Sequence, residues 1–396
     1  MALAVVLWIS TSTIDRMLTA RDKGSIAWLY VDTIDSMRTL LLTIEGTIIG
    51  IVGVVFSIMM VPLTIAASQF GPRLLRTFLR DIGTQMTLGT FTATFIFCML
   101  VLLQLRGIPE RHLPQISATI GLLLGIISFA VLIFFINHVA VSLQVSVLVS
   151  QVSKELHTAI DHDLPDHFDS ASISSHADET NAIPFDSTKA NRVVNATASG
   201  YVQVRDDERL LRLAQKHNIV LKLLSQPGDF IVEGTPLATV WQDVLTSREI
   251  DPAINAAFIL GLQRTLIQDI TFGINELVEV AIRALSPAIN DPFTAMTCLD
   301  WLGSALCRIC ERIFPQAELF DKDGHLRLIR RPETFSRFAD AAFNQIREYG
   351  RSSRAVTVRL IDTIAVVAQC ARTDEQRRVL LRHAALVERG SHMGPT

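Results

Sequence analysis

LLLTIEGTIIGIVGVVFSIMMVPLTIAA, residues 40–67, carries a single ionisable side chain, Glu45. A helix needs about 20 consecutive apolar residues to cross the hydrocarbon core of a bilayer, and this run is longer. Inside lipid its backbone polar groups must be satisfied within the segment, so the stretch reads as a membrane helix and the chain as an integral membrane protein. Pro62 lacks an N–H for the helical ladder and is expected to kink it.

Residues 86–105 and 116–136 are two further apolar runs and read as two more spans. The last is expected to continue as one helix through Asn137 and His138 to about Leu156, coupling membrane and soluble parts rigidly. Upstream, MALAVVLWI (1–9) is too short to span and has neither a basic leader nor a small-residue cleavage site. It is expected to be the C-terminal half of a first span, with 10–38 as an extramembrane loop.

Hydrophobic residues make up 49% of the 396 and charged residues 19%. A mean hydropathy of +0.36 is too apolar for a purely soluble chain and too polar for one embedded throughout. The apolar runs precede residue 150 and most of the charge follows it, so a membrane domain (1–157) is followed by a soluble part with its own core. The net charge of −3 points to no nucleic-acid partner. Five scattered cysteines suit a reducing compartment, which argues for a cytoplasmic soluble part on the bacterial inner membrane. Charge alone does not orient the helices, because Arg73, Arg76, Arg80 and Lys154 are opposed by Arg16, Arg38, Arg106 and Arg111.

Residues 158–196 are polar, acidic and poor in periodic apolar residues, as a linker should be. Residues 197–246 alternate as short strands around one helix (ERLLRLAQKH), broken at Pro227-Gly228 and Gly234-Thr235-Pro236, and predict a small β-barrel or sandwich. GDFIVEGTPL in this segment is similar to a lipoyl-type module, but no lysine stands at the hairpin tip, so packing or assembly is the expected role. A helical domain is expected over 250–389. It contains a long helix over 253–285, a helix started by Asp291-Pro292, a hairpin at 318–331 around Asp323-Gly324, and three closing helices. The tail GSHMGPT (390–396) is set aside.

Arg73, Arg76 and Arg80 share one helical face, where anionic lipid would attract each by roughly 1 kcal/mol. A vestibule that attracts anions to a pore mouth is the sharper reading. Glu45, Asn137 and His138 are polar candidates at membrane depth, although near span ends they can snorkel to the interface. Asp269, Glu276 and Arg283 recur every seven residues, with Arg264 beside them, and this seam could line a site with Asn290, Asp291 and Asp300. A solvated or salt-bridged face explains the same seam, and a helix stop plus a capped helix start explain SPAINDP. Cys307 and Cys310 have no second pair or nearby histidine, so no metal is expected, and no string implies a cofactor. No P-loop, G-x-S-x-G or H-E-x-x-H string occurs, which leaves an enzyme reading without a motif.

SQFGPRLLRTFLRDIGTQMTLGTFTATF (68–95) and ALSPAINDPFTAMTCLDWLG (284–303) resemble the bacterial predicted-membrane-protein family catalogued as domain of unknown function twenty-two fifty-four. The resemblance covers nearly the whole chain. It implies four spans followed by a soluble domain, and so a truncated first span here. The chain departs from the pattern at Glu45, where a small residue is expected, and at Pro62. The resemblance implies no activity. The leading expectation is a homo-oligomeric channel or transporter-like protein with a cytoplasmic assembly or gating part. The alternative is a membrane-anchored enzyme or ligand sensor using the helical domain.

Overall fold

The computed structural model describes residues 2–18, 33–69, 82–105, 113–142, 144–165, 192–241 and 247–392. The chain divides into two compact units, Met1–Val147 and Leu148–Thr396.

Among its described residues the first unit holds four helices: α1 (Ala2–Leu18), α2 (Ile34–Gln69), α3 (Ile82–Gln104) and α4 (Gln115–Ser142). Among the described residues, three stretches are long and apolar enough to cross a membrane: Ile34–Met60, Ile82–Gln104 and Gln115–Val141. In their most apolar windows only 22%, 33% and 17% of residues are buried, so most of the apolar surface faces outward, as lipid contact requires. Hydroxyls do not break these helices, because they donate back to carbonyls four residues earlier, as Thr43 does to Thr39 (2.7 Å) and Ser57 to Gly53 (3.0 Å). Inside the bundle, Thr94 and Ser128 bond to each other at 3.0 Å. Helices α2 and α4 approach closely where α4 has glycine. A Cβ on Gly121 would stand 3.1 Å from Leu41 Cδ2, and one on Gly125 3.3 Å from Ile44 Cγ2.

Residues 10–38, expected to be a loop, are helical at both described ends. Ser10 and Thr13 donate to Val6 O and Ile9 O, so the polar residues extend α1 instead of ending it. Trp8 Nε1 donates to Gln104 Oε1 at 3.1 Å, and Asp15 is buried against the start of α4. Arg73, Arg76 and Arg80 lie outside the described residues.

The continuous helix expected to run from the last span to Leu156 is two helices, α4 ending at Ser142 and α5 (Val145–Asp163). Gln144 N–H reaches Val141 O (3.1 Å) and Val147 N–H reaches Gln144 O (3.0 Å). These i to i−3 bonds replace the α ladder at the break.

In the second unit α5 buries Val149, Val152, Leu156, Ala159 and Ile160 at three and four spacing. The β part follows as β1 (Arg192–Asn195), β2 (Gly200–Arg205), helix α6 (Asp207–His217), β3 (Val220–Leu223), β4 (Phe230–Ile231) and β5 (Pro236–Trp241). Asp206 caps α6 by accepting from Arg209 N–H (2.9 Å), and Asn218, at φ 51°, ends it in the left-handed region. Then come α7 (Ser247–Asn255), β6 (Phe258–Gly261), α8 (Ile270–Ala284), α9 (Pro292–Cys310), the hairpin β7 (Glu318–Phe320) and β8 (Leu326–Ile329), α10 (Phe335–Tyr349), α11 (Arg354–Cys370) and α12 (Asp374–His392).

Among the described residues two sheets form, one in the order β1-β5-β3-β8-β7 and one in the order β4-β2-β6. Both contribute to one core, with Val194, Leu221, Val240 and Leu328 from the first and Val202, Ile231 and Phe258 from the second. The β part therefore extends beyond residues 197–246: β1 comes from the expected linker, β6 from the expected long helix, and β8 pairs in parallel with β3. The helix expected over 253–285 does not form as one. Residues 256–260, AAFIL, are apolar without a period of their own, and pairing with β2 (Val202↔Leu260, Arg205↔Phe258) settles Phe258–Gly261 as the strand β6. Helices α8 to α12 pack on one another as the helical remainder. Cys310 is buried, whereas Cys307 is half-buried with its Sγ 2.7 Å from that of Cys370.

Candidate functional site

The expected seam does not assemble into one site. Asp269 is not on α8 but caps it, accepting from Phe272 N–H (3.1 Å) and pairing with Arg264 at 2.7 Å. Arg283 pairs with Glu279 (2.9 Å) on the same helix, and Glu276 lies half-buried between these ends. Asp291 N–H donates to Ala284 O (2.8 Å), which puts Asp291 and Asp269 at opposite ends of α8, roughly 20 Å apart at 1.5 Å per residue. Asp291 caps α9 and Asn290 sits at φ 49°, so SPAINDP is a helix stop, a left-handed turn and a helix start. Asp300 is exposed and lies 3.5 Å from Arg359.

In the first unit, Glu45 is half-buried on α2, Asn137 is exposed, and His138 stacks on Phe134 with ring centroids 5.6 Å apart. Ile44 rests on Gly125, and His138 is thirteen residues further along α4, so Glu45 and His138 are roughly 20 Å apart along the helices. They do not form a common site.

A different group converges at the N-terminus of α8. Asp163 from the end of α5, Arg205 from β2, Asp207 from α6, Gln226 from the turn before β4, Asp269, and Arg330, Arg331 and Glu333 after β8 line a cavity of about 160 Å³. The turn that brings Gln226 here depends on Gly228 at φ 90°, where a Cβ would stand 2.2 Å from Asp269 Oδ2.

The arginines are largely engaged. Arg205 donates from Nε to Asp207 Oδ1 (2.6 Å) and from NH1 to Ser225 O (3.2 Å). Arg330 also holds Asp207 and donates to Gln316 O at 2.8 Å. Arg331 alone of the three is held loosely, with a 60% exposed side chain 3.9 Å from Asp229.

Three acceptors in this wall are without a partner. Glu333 takes Arg337 on Oε1 (2.8 Å) and Asp163 takes His162 on Oδ1 (2.8 Å), but Glu333 Oε2, Asp163 Oδ2 and Gln226 Oε1 are buried without a hydrogen bond. Gln226 is only 3% exposed. An unsatisfied buried polar group costs about 1–3 kcal/mol, so three around one cavity need an explanation. Burial pushes the carboxyls of Asp163, Asp269 and Glu333 above the ordinary range, and the charge of Asp269 raises the other two further. Arg264 opposes this at Asp269 and Arg337 at Glu333.

Of this cavity, sequence reading singled out only Asp269. The others sat in segments read as linker, helix start, turn and hairpin end, and only the Pro227-Gly228 turn marked the neighbourhood. Asp321, Asp323 and His325 also bring ligand-type atoms within 4.8 Å of one another. Asp321 there accepts from the Asp323 and His325 N–H groups and from Arg327, which makes the cluster a hairpin turn.

Among curated proteins, the chain is 31% identical over 379 residues to the uncharacterized protein Mb1321c of Mycobacterium bovis and equally to Rv1290c of Mycobacterium tuberculosis. Each match covers 92% of this chain and 70% of the relative. No solved structure matches. The family described as "Predicted membrane protein (DUF2254)" matches residues 1–366. With that match across nearly the whole chain, and three helices of membrane length, the chain belongs to this family of predicted membrane proteins.

Proposed function

We propose that this chain is a membrane-anchored binding protein whose C-terminal unit takes a small polar molecule in the cavity beside Asp163, Gln226, Asp269 and Glu333. The observation that carries this reading is Gln226, a polar side chain almost wholly buried, whose Oε1 has no partner and whose residue lines the cavity. A structural amide at such a depth is normally hydrogen-bonded. A ligand donor completes the set. The two sheets around their shared core, in the manner of a small sandwich, supply the rigid frame from which Arg205 and Gln226 project. A conducting homo-oligomer draws less support, because Glu45 and His138 lie far apart along the helices.

The test uses the full chain in detergent. Gln226→Leu removes an orphaned acceptor, so its unfolding temperature should rise, by the equivalent of roughly 1–3 kcal/mol. A panel of small amines, organic acids, amino acids and sugars should contain a class that raises the wild-type unfolding temperature and leaves Gln226→Leu unmoved. A destabilised Gln226→Leu, or a panel without effect, would overturn the reading.

A further inference from the structure

We infer that the cavity takes a small zwitterion, with a protonated amine met by Asp163, Gln226 and Glu333 and an anionic group met by Arg331. This rests on the reading of the cavity as a ligand site, and it follows from counting donors against acceptors.

On the acceptor side, the wall has three buried oxygens without a donor: Asp163 Oδ2, Glu333 Oε2 and Gln226 Oε1. The first two belong to carboxylates and the third to an amide held 97% out of solvent, the relative exposure being 3%. Their common need is for N–H or O–H donors, and a primary ammonium offers three on one atom. On the donor side, Arg205 and Arg330 share Asp207, Arg264 is paired with Asp269, and Arg337 with Glu333. Arg331 has only a carboxylate at 3.9 Å, beyond hydrogen-bond distance, and is the cation left to take a ligand anion.

A divalent cation would also suit carboxylate and amide oxygens. Four guanidinium groups (Arg205, Arg264, Arg330 and Arg337) belong to this wall or pair with its carboxylates, and they oppose a compact double positive charge more than a single one shared with a ligand carboxylate. Size agrees. A cavity of about 160 Å³, where one water needs roughly 10–15 Å³ by the same measure, has room for a molecule of amino-acid size.

The probes are L-alanine, β-alanine and γ-aminobutyrate, with ethylamine and propionate as the two halves of L-alanine, and Mg²⁺ and Ca²⁺ as metal controls. Titration calorimetry on the full chain in detergent should show at least one zwitterion binding ten-fold or more tightly than either half-molecule. Glu333→Gln and Arg331→Gln should each weaken that binding at least ten-fold. Arg331 is exposed enough for its substitution to spare the fold, and an unchanged unfolding temperature verifies this. Ethylamine, propionate or a metal ion binding as tightly as every zwitterion would overturn the zwitterion assignment and leave the cavity reading standing. No heat from any probe would overturn the zwitterion too, and if the wider panel also fails to shift the unfolding temperature, the cavity reading falls with it.

Discussion

Asp291 shows how one residue can look functional in sequence and prove structural. Its carboxylate accepts from the N–H groups of Phe293 (3.1 Å) and Thr294 (3.2 Å) and from the Thr294 hydroxyl (2.6 Å), so its oxygens serve the first turn of α9. Asp291→Ala should lower stability by roughly 0.5–2 kcal/mol, and Asp291→Asn should recover most of the loss. Binding at the Gln226 cavity should be unchanged in both, since Asp291 stands at the other end of α8; thermal unfolding with and without ligand checks each half. Gln226 is the opposite case, silent in sequence and conspicuous in space. No spacing rule flags a lone glutamine before Pro-Gly, and its significance comes from burial without a partner.

At the scale of elements, the joint between α1 and α4 is the clearest long-range cap in the first unit. Asp15 accepts from the Ile116 N–H (2.9 Å), the Ser117 N–H (3.1 Å) and the Ser117 hydroxyl (2.6 Å), about a hundred residues along the chain. A carboxylate here satisfies free N–H groups at the start of α4 and complements its dipole. Asp15→Ala should therefore destabilise the protein by roughly 1–3 kcal/mol, and Asp15→Asn by less. Thermal unfolding in detergent measures it, and an Asp15→Ala protein as stable as wild type would mean that α1 docks through its apolar face alone. Caps of this kind are hard to read in sequence because the partners are local neither to each other nor to a motif. The local cap at Asp291 was legible, since side chain and helix start lie within three residues.

For the whole molecule, which segments share a side follows from parity. If α2, α3 and α4 each cross the bilayer, the segment between α2 and α3 shares a side with everything after α4, and the segment between α3 and α4 lies opposite. We propose that the second unit lies on the cytoplasmic side, which the scattered cysteines of the sequence suit. In a background without native cysteines, an impermeant maleimide applied to intact cells should label Ile108→Cys and not Ser187→Cys. Labelling of Ser187→Cys would reverse the orientation.

What the sequence determined by itself was the membrane character, the positions of the three apolar helices, the starts of α6 and α9, the hairpin around Gly324 and the order of the last three helices. These depend on hydrophobic run length, on period, and on caps or turns within a few residues of the element, all of which are local quantities. Tertiary structure alone decided that Phe258–Gly261 would be a strand, that the helix would break between Ser142 and Val145, and that β8 would join the sheet begun at β1. It alone gathered Asp163, Gln226, Asp269 and Glu333, residues spread over 170 positions, around one cavity. The physical reason is the same each time. A short apolar run carries no period that separates strand from helix until a partner strand offers its hydrogen bonds, and a polar side chain shows no deficit until folding removes its water.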